Sequence, residues 1–213
     1  MISVKNLVKR FGERAILDGI NLEIPEGKIA VIMGGSGCGK STLLKNLIGL
    51  LRPEEGEIWI DGKNVAQLPP KEFDKVRKKF GMLFQGAALF NSMTVGENVA
   101  VPLREHTDLS EEIIHIIVKI KLELVGLTGF EDFYPYQISG GMKKRVALAR
   151  AIALDPKIVF YDEPGAGLDP ITAAMIDQLI LDLSSKLQIT SVVVTHEMKS
   201  AFPEVANDIR KAG

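Results

Sequence analysis

The sequence predicts an α/β fold in which a parallel-sheet core, entered through strand-rich segments, is interrupted by a helical insertion. Three observations carry this. Residues 29–33 are apolar at every position, as a strand buried on both faces of a parallel sheet must be. Apolar runs at 158–161 and 191–195 bracket a helical pattern over 171–187, the strand, helix, strand order of a parallel unit. Between the two halves the pattern turns helical. Thr94 and Glu97 have capping-box spacing, and Ser110-Glu111-Glu112 opens a second helix that runs to Val125 and stops at Gly126. Ahead of the core, Ile20, Leu22 and Ile24 alternate before a Pro25-Glu26-Gly27 turn. Residues 57–60 then run into Asp61-Gly62, a hairpin signal.

Composition bounds the function. The chain has 213 residues, 26 Lys and Arg against 27 Asp and Glu, one cysteine and three histidines. A chain of this length buries about 70% of its unfolded surface, so it needs no staple. A net charge of -1 argues against a domain held to nucleic acid by bulk electrostatics, and no zinc pattern exists. The N-terminus lacks the apolar run and small-residue cleavage site of a secretory signal, so a cytoplasmic start is expected. The apolar window 113–125 is broken by Lys119, Lys121 and Glu123, short of the ~20 apolar residues of a membrane span. Any membrane role is therefore expected to run through a partner.

The strongest chemical signal is Gly34-Gly35-Ser36-Gly37-Cys38-Gly39-Lys40-Ser41, followed by Thr42. It fits G-x-x-x-x-G-K-[ST] between a buried strand and an apolar helix. Its glycines let backbone N–H groups turn inward around phosphate oxygens at a helix N-terminus. Lys40 then adds a cation, and the Ser41 hydroxyl is placed for Mg²⁺. Residues 158–163 are a buried strand ending in Asp162 and Glu163, suited to holding Mg²⁺ and polarising an attacking water. Read alone, that segment also fits an acidic turn before Pro164. A second nest, Ser139-Gly140-Gly141, opens an apolar helix. One nucleotide needs one nest, so the second is expected to serve another subunit's nucleotide.

In order and spacing, the P-loop, Gln85, Ser139-Gly140-Gly141, Asp162-Glu163, Gly167-Leu168-Asp169 and His196 resemble an ATP-binding-cassette (ABC) ATPase over residues 1–200. The resemblance implies a P-loop NTPase with a RecA-like parallel core, an N-terminal antiparallel β subdomain and an inserted helical subdomain. Core and β subdomain would take residues 1–85 and 151–213, and the helical subdomain 86–150. It further implies a head-to-tail dimer, with each ATP between one P-loop and the partner's signature helix. Phe11 would stack on adenine, although its position alone equally suits a core aromatic. Gln85 would complete the Mg²⁺ and water shell and report to a membrane permease. His196 would touch the γ-phosphate, and Asp169 would shape the dimer interface.

Residues 84–90, 101–107, Met142 after the signature glycines and 167–172 resemble more narrowly the ATPases of MCE-associated lipid transporters, the Mla/Mkl type. That type works at the cytoplasmic face of the bacterial inner membrane with a permease and an MCE lipid-binding protein. Ile138 departs mildly from the usual signature. Chromosome-organising cassettes are disfavoured because Lys40 and Ser139 lie only 99 positions apart with no heptad array between them. Ribosome-associated cassettes carry two cassettes per chain. A cell-division type that transmits force without cargo stays open.

Several features read as structural. Lys71, Lys75, Arg77, Lys78 and Lys79, interrupted by Glu72 and Asp74, suit a solvated helix face. His115 lacks a second metal ligand nearby. Phe130, Phe133, Tyr134 and Tyr136 suit either core packing or a partner. After His196, residues 197–207 suit a helix broken at Pro203. The few residues beyond it suggest a shortened form of a longer ATPase.

Overall fold

Four neighbouring parallel strands organise the molecule, in the order β3 (Ile29–Met33), β8 (Thr190–Thr195), β7 (Ile158–Asp162), β6 (Phe80–Leu83). The computed structural model describes residues 2–196. The helix expected after His196, with Pro203, lies outside the described residues. Alternate residues of β7 face opposite sides of the sheet, dividing two cores. Val159 and Tyr161 join the core built with the helices, while Ile158 and Phe160 join the core built with the N-terminal strands. β8 divides the same way, with Val193 on one side and Val192 and Val194 on the other. β3 is less enclosed than its apolar sequence predicts. Only Val31 is fully buried, since β3 pairs with β8 alone among the described residues.

The antiparallel sheet has the order β2 (Arg14–Ile24), β1 (Ile2–Phe11), β4 (Glu55–Ile60), β5 (Lys63–Asn64). The predicted hairpin forms between β4 and β5. Asp61 and Gly62 both take positive φ, 49° and 75°, the mirror-image turn that suits strand twist. α1 (Lys40–Leu47) and α2 (Pro70–Arg77) contribute Leu43, Leu44, Leu47, Phe73 and Val76 to the core beneath this sheet. Arg77 does more than face solvent. Its guanidinium donates to the carbonyls of Ile48 and Gly49 at 3.2 and 2.7 Å, closing the end of α1.

The inserted helices are α3 (Val95–His106), α4 (Glu111–Leu124) and α5 (Gly140–Ala151); α6 (Pro170–Leu187) links β7 to β8. The Thr94–Glu97 capping box forms with both bonds present. Ser110 precedes α4 in cap conformation, yet its side chain makes no cap bond, so the two glutamates in the first turn stabilise that end through the helix dipole. Asn98 is fully buried and ties α3 to the loop before it, donating to the carbonyls of Phe90, Met93 and Thr94. Phe130 packs on the core, whereas Tyr136 is 72% exposed, so the four loop aromatics do not share one environment. His115 is exposed on α4.

Candidate functional site

The sheet order decides where the chemistry sits. Because β3, β8, β7 and β6 run parallel and adjacent, the residues that follow them emerge along one edge. The P-loop follows β3, His196 follows β8, Asp162 ends β7 with Glu163 next, and Gln85 lies two residues past β6. The carboxyl edge of a parallel sheet is where open α/β folds bind ligands.

In the P-loop, Gly35, Ser36, Gly37 and Cys38 form an exposed crest, and Gly34 lies beneath it. Gly39 has φ 101°, and a Cβ there would stand 2.9 Å from the Ile16 carbonyl, so this position requires glycine. Lys40 opens α1, and Ser41 and Thr42 follow in the first turn. The Lys40 ammonium is buried and donates to the carbonyls of Gly34 at 2.7 Å and Gly35 at 3.0 Å. A cleft of about 310 Å³ opens between this loop and Phe11 and Ile16. Phe11 is 52% exposed, which rules out its reading as a core aromatic. The Lys9 ammonium lies 5.6 Å from the ring centroid of Phe11.

Glu163 has φ 48°, a left-handed conformation unusual for a residue with a side chain. Its carboxylate turns toward the end of β8, where Oε2 lies 2.8 Å from Nδ1 of His196 and accepts the His196 backbone N–H at 3.2 Å. Asp162 is half-buried, and its Oδ1 is enclosed without a hydrogen-bond partner among the described residues. Burial raises the Asp162 carboxyl above its ordinary range, and the neighbouring Glu163 charge adds to that; Lys45, Lys144 and Lys40 pull the other way. A cation would satisfy this oxygen. Asp162, Ser41 and Gln85 offer oxygen donors only, the set a hard ion such as Mg²⁺ prefers. Among the described residues no three His, Cys, Asp or Glu gather into a metal cage.

The signature residues open α5. Ser139 is its N-cap, accepting the Met142 N–H at 3.2 Å; Ser139 and Gly140 are exposed and Gly141 is buried. Asp169 has a local role, capping α6 through the N–H groups of Ile171 and Thr172. Two residues that sequence reasoning passed over also reach the site. Lys144 donates to the carbonyls of Gln85 and Glu163, and Arg150 donates to those of Ala87 and Ala88. A signal existed for Lys144. It shares a face of α5 with Gly141, Leu148 and Ala151, all buried, so a lysine there needs buried partners.

The profile of the ABC transporter family matches residues 17–166, well over half of the chain. The chain belongs to the ABC transporter family. The matched segment is the ATP-binding cassette of that family. The cassette is 50% identical over 200 residues to the probable ribonucleotide transport ATP-binding protein Mkl of Mycobacterium leprae, covering 94% of this chain. It spans only 58% of that relative's length. It is also 50% identical over 202 residues to the intermembrane phospholipid transport ATP-binding protein MlaF of Haemophilus influenzae, covering 95% of this chain and 76% of that one. Among solved structures, the dimeric cassette MJ0796 bound to ADP and Pi matches with a TM-score of 0.83 at 38% identity. That match covers 93% of this chain and 89% of MJ0796.

Proposed function

We propose that this cassette works in pairs, hydrolysing ATP between one protomer's P-loop and its partner's signature helix, and that the energy drives phospholipid transport through a membrane permease. The observation that carries the hydrolytic part is the gathering of the P-loop, Asp162, Glu163, His196 and Gln85 along one sheet edge. Phe11 offers an exposed ring for adenine at one end of the cleft. Gly34 to Gly39 receive the phosphates on backbone N–H groups, and Lys40 supplies the cation. Ser41, Asp162 and Gln85 would hold Mg²⁺, which would supply charge neutralisation at the phosphates. Glu163 accepts a proton from the attacking water as the bond to the departing ADP breaks. His196, at the end of the neighbouring strand, holds the Glu163 carboxylate in place and contacts the γ-phosphate. Ser139, Gly140 and Gly141 close over the partner's nucleotide.

The lipid assignment is supported by identity to MlaF, whose name specifies intermembrane phospholipid transport. The Mkl relative's name specifies ribonucleotides, which makes cargo the point to test. No described helix is long and apolar enough to cross a membrane. A groove of about 510 Å³ beside the Gln85 turn, lined in part by Phe84, Phe90, Val101 and Pro102, gives the permease a place to dock. The permease and an MCE-type lipid-binding protein would hold the cassette at the cytoplasmic face of the inner membrane. We read residues 86–150 as the helical lobe that carries the signature, and 1–85 with 151–213 as the core.

The test is to isolate the tagged chain from detergent-solubilised membranes, identify lipids in the complex by mass spectrometry, and measure Mg-ATP turnover with and without added phospholipid. Bound phospholipid and lipid-stimulated turnover are expected. A membrane complex that hydrolyses ATP but neither carries nor responds to lipid would overturn the lipid assignment in favour of force transmission without cargo. A complex that responds to ribonucleotides alone would also overturn it.

A further inference from the structure

Helix α5 reaches the glutamine turn and the carboxylate turn of its own chain through one buried ammonium. Lys144 is 5% exposed, and its Nζ donates to the carbonyl of Gln85 and, at 3.4 Å, to that of Glu163. Further along the same helix, Arg150 donates to the carbonyls of Ala87 and Ala88, both at 2.8 Å. Those two alanines have φ of 61° and 49°, a conformation that costs a residue bearing a Cβ about 1 kcal/mol or more and persists only where its surroundings impose it. The helix also lies hard against β6. A Cβ on Gly81 would stand 2.3 Å from the Ala151 carbonyl, so the strand that leads to Gln85 cannot move away from α5 without opening this contact.

Burying an ammonium costs free energy unless it is paired and hydrogen-bonded. Burial accordingly lowers the Lys144 pKa, while Asp162 and Glu163 pull it back up. A lysine retained under that cost, with backbone carbonyls of two separate turns as acceptors, constrains the relative placement of those turns. Its own bonds engage neither side chain. Resting on the hydrolytic reading above, we propose that Lys144 is a positioning residue for ATP hydrolysis, locking the backbones of Gln85 and Glu163 in one geometry relative to the signature helix, with Arg150 bracing the far side of the glutamine turn. Such a residue sets how fast bound ATP is hydrolysed, and contributes little to how tightly it is held, since the P-loop and Phe11 lie elsewhere.

The experiment compares the full-length wild-type chain with Lys144→Met, which keeps the length and loses the donors, and Lys144→Arg, which restores them. All are assayed for steady-state Mg-ATP turnover and for affinity toward a fluorescent ATP analogue, at a temperature where melting curves show each to be folded. Lys144→Met is expected to lower kcat at least tenfold while KM and analogue affinity stay within twofold, and Lys144→Arg to recover at least half of the lost kcat. Wild-type kcat in folded Lys144→Met overturns the proposal. So does a loss in which KM, affinity and kcat fall together, or one that Lys144→Arg does not rescue. Should Lys144→Met fail to fold, Lys144→Gln, which keeps one donor, is judged by the same split. Failure of all variants to fold would make Lys144 a folding residue and also overturn it. A folded wild-type chain without turnover would instead sink the hydrolytic reading, and this assignment with it.

Discussion

Nδ1 of His196 lies 2.8 Å from Oε2 of Glu163, and the backbone N–H of His196 donates to the same oxygen at 3.2 Å. The two residues follow adjacent parallel strands, so the register of β7 against β8 sets this approach; Asp162, just before Glu163, pairs with Val194. One carboxylate oxygen is thereby anchored from the neighbouring strand, which fixes where a water polarised by Glu163 would stand.

Glu163→Gln keeps the shape of the side chain and removes the proton acceptor. General-base catalysis contributes about 10²- to 10⁴-fold, so multiple-turnover hydrolysis should fall at least about 100-fold. ATP affinity should change by less than about twofold, because the P-loop is untouched. Steady-state phosphate release and equilibrium binding of a labelled nucleotide check the two halves. Turnover close to wild type would remove Glu163 from the catalytic role.

Lys40 and Ser139 should fail differently. The Lys40 ammonium braces the loop through the Gly34 and Gly35 carbonyls and lines the cleft beside it, so Lys40→Ala should cost the isolated chain at least about tenfold in nucleotide affinity. Ser139 caps a different helix. Ser139→Ala should bind nucleotide as a monomer within about twofold of wild type yet hydrolyse it poorly. Equal loss of monomer binding in both variants would argue against the head-to-tail pair.

Asn98 tests the helical insertion. It is fully buried, receives the Phe90 N–H at 2.8 Å and donates to three carbonyls. Asn98→Ala leaves these groups without their partner in a closed site, which should cost about 2 to 3 kcal/mol and lower Tm by roughly 5 to 10 °C. A melt within a degree of wild type would show that the 90–94 loop does not depend on this staple.

Asp169 makes the stability of α6 depend on pH. Hydrogen bonds from the Thr172 hydroxyl and backbone hold its carboxyl below the ordinary 3.8. A depressed pKa stabilises the folded chain above the unfolded pKa, and that contribution is lost as pH falls through the lower, folded value. Asp169→Ala should therefore melt below wild type at neutral pH, with the gap narrowing in acid. Melting curves over an acid series measure this, and a gap that stays constant would exclude the carboxylate as its source.

Much of the fold was legible because its signals are local. The Thr94–Glu97 box and the Asp61-Gly62 turn each involve residues within three or four positions, and both form as the spacing predicts. The P-loop motif is local in the same way, since eight consecutive residues carry the whole pattern. Where burial depends on distant neighbours, sequence reasoning was less successful. β3 reads as buried on both faces but is only partly enclosed, and Arg77 reads as a solvated cation but closes the end of α1.

By itself, then, the sequence determined the chemical inventory: a phosphate loop, two carboxylates at a strand end, a glutamine, a histidine and a second glycine-rich helix start. Each depends on residue type and short-range backbone geometry. Only the tertiary structure decided that they share one edge, because the order β3, β8, β7, β6 brings together strands that are distant in the chain. It also decided which charges are buried. Lys144 and Lys143 are neighbours in the sequence, yet only Lys144 points into the contact between α5 and the turns that carry Gln85 and Glu163. A helix places consecutive residues about 100° apart, and what lies on each side is set by the rest of the chain.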